Sequence, residues 1–423
     1  MFSLHRLSNG VRVVLAPQQD TQAVTVEALV PVGSRYETAA LSGASHFVEH
    51  MMFKGTKRRP TTLAISRDLD RIGAEYNAFT GKEYTGYYIK ANAEHCALSL
   101  DMLSDMLFRS TYAEAEFERE RKVILEEINL YEDNPSMHLD DIFEGLLYHG
   151  HPLGRLISGT KETMLGITRS ALVAYRDRAY HPQDLVLVIA GNIGSNALEL
   201  AQQTFGAVRM RRHPRLSARA FTPRPSGPRV RLHWKETAQV HLALGLPTFA
   251  AEDARAYPLT LLVNILGGTM SSRLFIAVRE RLGLAYSVGA SADAYRDAGS
   301  LVVTAGLDPK RLPQAIRVIL RELRRMSDRG VTTEELARAK DNIRGRMILS
   351  FEDSASRADW YGKQVLLRRA TLTPEEKMAR LAAVDRAAVA GIARAFLHPD
   401  RLHLAVIGPY RDEAPFRKLL QIA

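Results

Sequence analysis

The chain has 423 residues, of which 46% are hydrophobic and 25% are charged; this excludes a disordered or fibrous protein and favours two or three globular domains. No apolar run approaches the roughly 20 residues of a membrane-spanning helix, and the single cysteine, Cys96, excludes an internal disulfide and fits a reducing compartment. We therefore predict a cytoplasmic protein with no membrane partner. The net charge of +10 would suit nucleic acid, but the arginines are scattered and no nucleic-acid motif is present, so we expect no such partner.

The N-terminal part of the chain alternates hydrophobic and polar residues as strands do. "MFSLHRLSNGVRVVLAP" at the start has this alternation and lacks the pattern of a signal peptide, and "VTVEALVPVG" at 24–33 predicts a further strand. "EYNAFTGKEYTGYYIKA" at 75–91 predicts two strands around Gly81 and Lys82. Because long helical segments are mixed with these strands, we predict the α+β class, with a mixed sheet covered by helices.

Between these strands lies the stretch "LSGASHFVEHMMFKGT", residues 41–56. His46 and His50 are four residues apart and would project from one helix face, with Glu49 on the same side. A catalytic zinc ion takes three protein ligands and a water, lowers the pKa of that water toward about 7, and needs a carboxylate to remove its proton. The spacing therefore predicts a zinc site, and the alternative is a core helix whose histidines are satisfied by carboxylates.

A third ligand would have to come from elsewhere in the chain. "RKVILEEINLYED" at 121–133 lies on a separate predicted helix and offers several carboxylates. The more common order His-Glu-x-x-His is absent, because no histidine of the chain is followed by glutamate. The order His-x-x-Glu-His is instead the inverted motif of one class of zinc peptidases.

The two halves of the chain resemble each other. The segment at 111–133 aligns with 331–353, and the segment at 167–191 aligns with 384–408, including a His-Pro pair and a closing glycine. The positions of the second half that correspond to His46, Glu49, His50 and Glu127 hold Ile265, Gly268, Thr269 and Arg346. The fold by itself therefore does not require these four polar residues.

A proline-rich stretch, "HPRLSARAFTPRPSGPR", separates the halves and predicts an extended linker. We therefore predict two structurally repeated α/β sandwich domains. Residues 1–212 would form an N-terminal zinc-binding catalytic domain, 213–228 the linker, and 229–423 a C-terminal repeat domain without metal ligands.

Several stretches along the chain resemble the pitrilysin/insulinase family of zinc peptidases, in the order in which that family has them. They are "LSNGVRVV", "GSRYE", "HFVEHMMFKGT", "NAFTGKEYT", "ERKVILEEI", "HPLGR" and "SSRLFIAVRERLGLAYSV". The resemblance covers essentially the whole chain, and within the family it is greatest to the β-subunit of mitochondrial processing peptidase and its bacterial homologues. It implies a zinc metalloendopeptidase with Zn²⁺ as the cofactor.

The resemblance also implies roles for the residues of the motif. His46 and His50 match the zinc-ligand histidines of the family, and Glu49 matches its general base, which assists the attack of zinc-bound water. The third ligand is a glutamate that the family pattern places at Glu127. The neighbouring Glu126 is the alternative, since an alignment error of one residue would exchange the two.

Further residues match positions that support catalysis in the family. Glu120 resembles a glutamate that orients the zinc ligands, with a surface ion pair as its alternative. Asn77 resembles a strand asparagine that binds substrate, with a turn-capping amide as its alternative. Arg279 and Tyr286 match a pair that holds the substrate carbonyl and stabilises the oxyanion; their alternative is a helix surface and a core tyrosine.

Larger members of the family enclose the substrate in a chamber built from four domains of this type, whereas this chain has two. The resemblance therefore implies a homodimer that cleaves unfolded peptides inside its chamber, with Arg279 and Tyr286 contributed in trans. A resemblance to processing peptidases implies basic peptide substrates; the net charge of +10 opposes their long-range attraction, while the acidic stretch at 113–133 favours it locally. A non-catalytic structural or assembly subunit of the same fold is the alternative function.

Overall fold

The computed structural model describes residues 2–209, 214–222 and 229–421, and contains two mixed β-sheets, each covered by helices. The eleven strands found in the described residues are β1 Ser3–Arg6, β2 Arg12–Pro17, β3 Ala23–Val30, β4 Glu75–Thr80, β5 Thr85–Asn92, β6 Val186–Gly191, β7 Arg229–Trp234, β8 Val240–Thr248, β9 Ala285–Ala294, β10 Gly299–Leu307 and β11 His403–Gly408. The predicted α+β class is confirmed.

The helices of the first half include the two that the sequence singled out, at 44–52 and at 114–133. They are α1 Ala44–Met52, α2 Thr62–Asp70, α3 Cys96–Arg109, α4 Glu114–Asp133, α5 Pro135–Leu147, α6 Lys161–Gly166, α7 Arg169–Ala179 and α8 Ala197–Thr204.

The second half has seven α-helices in its described residues and one π-helical segment, Phe275–Glu280. The α-helices are α9 Ala256–Gly267, α10 Leu312–Arg329, α11 Thr333–Ser350, α12 Ser354–Leu367, α13 Pro374–Ala382, α14 Arg386–Phe396 and α15 Ala414–Gln421. None of the helices in the described ranges has the length and hydropathy that a membrane crossing requires.

The two sheets have corresponding strand orders, which confirms the predicted repeat. The first sheet runs β1-β2-β6-β3-β5-β4 and the second runs β7-β11-β8-β10-β9. In each sheet one pair is parallel, β2 with β6 and β7 with β11, while the other pairs are antiparallel. The segments that align in sequence each form a helix followed by a strand of this parallel pair, α7 with β6 and α14 with β11.

The packing units are not consecutive along the chain. One compact unit consists of Met1–Asn129, Arg155–Arg219 and Met347–Thr373, and the other of Leu130–Gly154, Ala220–Arg346 and Pro374–Ala423. This division differs from the predicted domains at 1–212 and 229–423. Residues 130–154 of the first half pack in the second unit, and residues 347–373 of the second half pack in the first.

The exchange has a hydrophobic cause. Helix α12, from the second half, packs on β3 and β6, where Tyr361 and Val365 join an apolar cluster of the first sheet. Helix α5, from the first half, packs on β8 and β11 through Leu139 and Phe143. Each sheet thus has its second face covered by a helix from the other half of the sequence, which buries apolar residues of that face.

The predicted linker at 213–228 lies partly outside the described residues, namely at 213 and 223–228. Its described part, 214–222, contains no helix or strand.

Candidate metal centre

Helix α1 packs into the core of the first unit and leaves one narrow stripe accessible. Phe47, Val48 and Met51 are fully buried, whereas His46, Glu49 and His50 are the residues of α1 that stay partly exposed. The four-residue spacing of the histidines gives them a common face, and their ring centroids lie 4.6 Å apart. The same periodicity that anchors the helix therefore presents the three polar side chains together.

The start of α1 is fixed by a buried carboxylate. The backbone N–H groups of Gly43 and Ser45 each donate to Glu37, at 2.7 Å. Gly43 has a φ of +96°, a left-handed conformation that favours glycine. Burial raises the pKa of Glu37 to about 7, although the hydrogen bonds from Ser45 and Gly43 oppose that rise. Glu37 thus satisfies two N–H groups at the N-terminus of the helix that carries His46.

The third residue of the cluster comes from α4. The Oε2 atom of Glu127 lies 3.4 Å from Nε2 of His50 and 3.8 Å from Nε2 of His46. One donor atom from each of these residues lies within 4.8 Å of the others, and no other group of this kind occurs among the described residues. The structure therefore brings together the three residues predicted as zinc ligands.

The choice between the two adjacent glutamates is resolved by the direction of their side chains. Glu127 faces the histidines, whereas Glu126 accepts a hydrogen bond from Asn129 one turn further along the exposed side of α4. Neighbouring positions on a helix diverge by about 100°, so only one of the two can reach α1.

Glu120 lies two turns before Glu127 on α4 and is buried. Its two oxygens contact Nδ1 of His50 at 3.0 Å and Nζ of Lys54 at 2.7 Å. Burial alone would raise the pKa of Glu120, but the hydrogen bonds from His50 and Lys54 lower it below its usual value. An anionic Glu120 orients the His50 ring so that Nε2 faces Glu127, as carboxylates behind metal-ligating histidines do.

The two histidines have opposite electrostatic environments. Burial and the neighbouring His50 lower the pKa of His46 to about 4, which keeps its ring neutral. Burial also acts to lower the pKa of His50, but its hydrogen bonds to Glu120 and Glu127 raise it to about 9. Nδ1 of His46 is buried without a hydrogen-bond partner.

Glu49 lies beside the ligand cluster without belonging to it. Its Oε2 atom accepts a hydrogen bond from the hydroxyl of Thr80, at the end of β4. Burial raises the pKa of Glu49, and the bond from Thr80 reverses part of that rise. The other oxygen, Oε1, has no partner among the described residues, so it is available to a proton.

Asn77 does not join this cluster. It lies on β4, an edge strand of the first sheet, and its Oδ1 atom accepts a hydrogen bond from the N–H of Ala78. Side chains alternate between the faces of a strand, and Asn77 is therefore on the face opposite to Thr80, whose hydroxyl bonds Glu49. Its position excludes the turn-capping alternative, and its role in substrate binding stays a prediction.

Arg279 and Tyr286 are brought together in the other unit. The guanidinium of Arg279, in the π-helical segment, lies 5.6 Å from the ring centre of Tyr286 at the start of β9 and 4.8 Å from that of Phe275. Tyr286 is 77% exposed, so the core-tyrosine alternative does not hold. π-Helical turns are rare and occur frequently at functional sites.

Three residues of the centre were not predicted from the sequence. Thr80 holds Glu49, Lys54 binds Glu120, and Glu37 fixes the start of α1. All three lie in stretches that resemble the family: Thr80 in "NAFTGKEYT", Lys54 in "HFVEHMMFKGT" and Glu37 at the end of "GSRYE". Their place in these stretches indicated that they matter, but the periodicity of the sequence does not predict which side chains they contact.

The residues present fit a zinc ion. Two imidazole nitrogens and one carboxylate oxygen are a donor set of catalytic zinc sites. Donor atoms at about 2.1 Å from a tetrahedral ion lie roughly 3.4 Å apart, close to the distances of 3.4 and 3.8 Å that separate Glu127 from the histidines. Three protein donors leave a position for water.

Comparison with known proteins gives the family. Residues 12–161 match the profile described as insulinase, peptidase family M16, and residues 166–343 match the profile described as peptidase M16 inactive domain. The chain belongs to the M16 peptidase family. The resemblance to the insulinase family is thereby confirmed. The description of the second profile agrees with the absence of a metal-ligand cluster from the described residues of the second half.

Relatives within this M16 family extend along nearly the whole chain. The zinc protease YmxG of Bacillus subtilis, named uncharacterized, is 37% identical over 415 residues, which cover 97% of this chain and 98% of the relative. A zinc protease of Streptomyces coelicolor, also named uncharacterized, is 36% identical and covers 97% of this chain and 90% of its own. These names suggest zinc and a peptidase.

Two solved structures share the fold of this chain. A protease from Helicobacter pylori has a TM-score of 0.91 at 22% identity and covers 97% of this chain and 99% of its own. The structure titled peptidase M16 inactive domain from Pseudomonas fluorescens has a TM-score of 0.89 at 18% identity, with coverage of 97% and 98%.

Proposed function

We propose that this M16 protein is a zinc-dependent metalloendopeptidase that cleaves unfolded peptides. The observation that carries the proposal is the convergence of His46, His50 and Glu127 from two helices, with Glu49 beside them. A structural subunit would need none of these four residues, since the second unit builds a sheet with the corresponding order of five strands without them. The intact set therefore favours catalysis over the structural or assembly role.

The residues have separate tasks in the proposed reaction. His46, His50 and Glu127 would hold the zinc ion, which when bound supplies a Lewis acid that activates water and polarises a carbonyl. Glu49 accepts a proton from the attacking water on Oε1 and passes it to the leaving amine. Thr80 keeps the Glu49 carboxylate in place, and Glu120 keeps the His50 ring in place.

The direct test is cleavage of a mixed peptide library, read by mass spectrometry. The wild type should produce cuts that a chelator abolishes, and Glu49→Gln should retain zinc while losing about 10²–10⁴-fold in rate, the range of general acid–base catalysis. Glu126→Gln, which changes the neighbouring surface glutamate, is the control. Bound zinc with no cleavage by the wild type would favour the structural or assembly role.

The proposal includes a homodimer with a closed chamber. Its support is that one chain carries both the metal set and the exposed pair Arg279 and Tyr286, which would act on the substrate carbonyl in trans. Mixing Glu49→Gln with Arg279→Ala chains should then restore one intact site in each mixed dimer. A monomer in gel filtration, or no recovery on mixing, would contradict this part. The cytoplasmic location remains a prediction.

A further inference from the structure

The second unit contains a cavity that the proposed reaction does not use. It has a volume of about 370 Å³ and lies between residues 271–281, which include the π-helical segment, the C-terminal half of α10, and the starts of α11 and α14. Each of these wall segments belongs to the same compact unit. The space would hold on the order of ten water molecules at their liquid volume, so it suits a small molecule.

The walls of this cavity are strongly basic. Five arginines line it, against two glutamates: Arg273, Arg281, Arg325, Arg329 and Arg386, with Glu322 and Glu335. Like charges gathered around one space repel each other. Water and dissolved salt screen part of this repulsion at exposed positions, and carboxylates or a bound anion would offset the rest.

The two glutamates are already engaged by other members of the set. Glu335 binds Arg273 through two hydrogen bonds of 2.7 Å, and Glu322 binds Arg325 at 2.9 Å. Their charges are therefore paired, and each of the remaining arginines lacks a carboxylate of its own.

Arg281, Arg329 and Arg386 are these remaining arginines. Arg386 donates to the carbonyl oxygen of Val331, which positions its guanidinium without neutralising it. The side chains of Arg281 and Arg329 are exposed and form no hydrogen bond or ion pair with any residue in the described ranges. Three guanidinium groups thus face one cavity without a counter-charge.

A buried hydroxyl group supplies an independent indication. Ser272 lines the cavity and is only 3% exposed, and its Oγ atom is buried without a hydrogen-bond partner. An unsatisfied buried hydroxyl costs roughly 1–3 kcal/mol. A ligand that accepts a hydrogen bond from Ser272 would remove this cost.

We propose that this cavity binds a small polyphosphate anion. Guanidinium groups bind phosphate oxygens through two parallel hydrogen bonds, and arginine is the residue of choice for this contact. Three unpaired guanidinium groups match a ligand with several negative charges, and the Ser272 hydroxyl can donate to one of its oxygens. The small volume, about 370 Å³, favours a free soluble ligand over a polymer or a lipid surface.

The test is an isothermal calorimetric titration of the full-length protein with inorganic pyrophosphate at physiological salt. We expect a dissociation constant below about 1 mM, a loss of at least about tenfold in Arg281→Ala/Arg329→Ala, and a smaller loss in Ser272→Ala. Arg321→Ala/Arg324→Ala is the matched control, because it removes the same charge from exposed α10 positions outside the cavity.

The outcomes separate the possible sources of binding. Equal loss in both double variants would mean that the net positive charge alone attracts the anion, and would overturn the proposal. If citrate bound with equal affinity, the cavity would recognise negative charge without a preference for phosphate, and the assignment to polyphosphate would be overturned. If a single-stranded oligonucleotide bound with higher affinity, nucleic acid would replace the small anion as the ligand. Each result is independent of peptidase activity, so failure here leaves the proposed function untouched.

Discussion

The two sheets of the molecule have corresponding strand orders but differ in the helix that follows the matching strand, α1 after β3 and α9 after β8. In the first unit, His50 of α1 meets Glu120 and Glu127 of α4. In the second, Asn264 of α9 donates to Asn342 of α11, at 2.9 Å.

This difference shows what the fold requires at that contact. A neutral pair of amides satisfies the helix contact in the second unit, and polar groups at such a place need only a hydrogen-bond partner. The ionisable residues of α1 and α4 exceed that requirement. Burying these charged groups costs desolvation free energy and shifts their pKa values, which a neutral structural contact avoids. This supports a chemical role for them.

Removing the third predicted zinc ligand, Glu127, should weaken zinc binding by the first unit most strongly. Glu127→Gln is expected to reduce zinc affinity by more than about 100-fold, since a direct ligand matters more than the residues behind it, whose loss costs 10–100-fold. Zinc titration with a competing chelator measures this, with Glu126→Gln as the control. Equal losses in both variants would contradict the assignment of Glu127.

Changing Glu120, the hydrogen-bond partner of His50, should have a smaller effect on zinc affinity. Glu120→Gln should reduce zinc affinity by about 10–100-fold, because the amide supports the His50 ring less firmly than a carboxylate. Glu118→Gln, an exposed glutamate on the same helix that pairs with Arg121, should leave affinity unchanged. Unchanged affinity in Glu120→Gln would show that the carboxylate only binds Lys54.

The opposite face of the first sheet predicts a pH dependence of stability. Glu27 lies on β3 against α12, is 3% exposed, and its Oε2 atom has no hydrogen-bond partner. Burial and then the neighbouring Asp359 raise its pKa to about 8, opposed by Lys363. The folded protein therefore holds this proton more tightly than the unfolded chain, and the stability it contributes is complete below about pH 4.5 and lost as the pH rises toward 8.

Glu27→Gln should remove this dependence. The variant is expected to gain roughly 2 kcal/mol over the wild type at pH 8 and little at pH 5. Melting temperatures measured across that range test it, with the exposed Glu199→Gln as the control. A difference between Glu27→Gln and the wild type that does not change with pH would contradict the assignment.

The cap of α1 should give the smallest effect. Glu37→Ala leaves the N–H groups of Gly43 and Ser45 without their acceptor and should destabilise the protein by about 1–2 kcal/mol, with a several-fold loss of zinc affinity. Asp385→Ala removes a side-chain cap of α14 and should cost similar stability without affecting zinc. Equal zinc affinity in both variants would separate Glu37 from the metal centre.

Most of the local structure and half of the site were determined by the sequence. The alternation at 24–33 predicted β3, the repeat predicted the matching helix and strand of each half, and the spacing of His46, Glu49 and His50 predicted their common face. These features extend over only a few residues. They follow from the periods of 3.6 residues in a helix and 2 in a strand, which do not depend on the tertiary structure.

The tertiary structure decided what residues distant in the sequence do to each other. It selected Glu127 over Glu126, paired Glu120 with His50, placed Thr80 on Glu49, and exchanged α5 and α12 between the two packing units. Such contacts depend on how whole helices pack against a sheet. A helix with an apolar stripe can cover any matching apolar face, and its sequence does not say which face that will be.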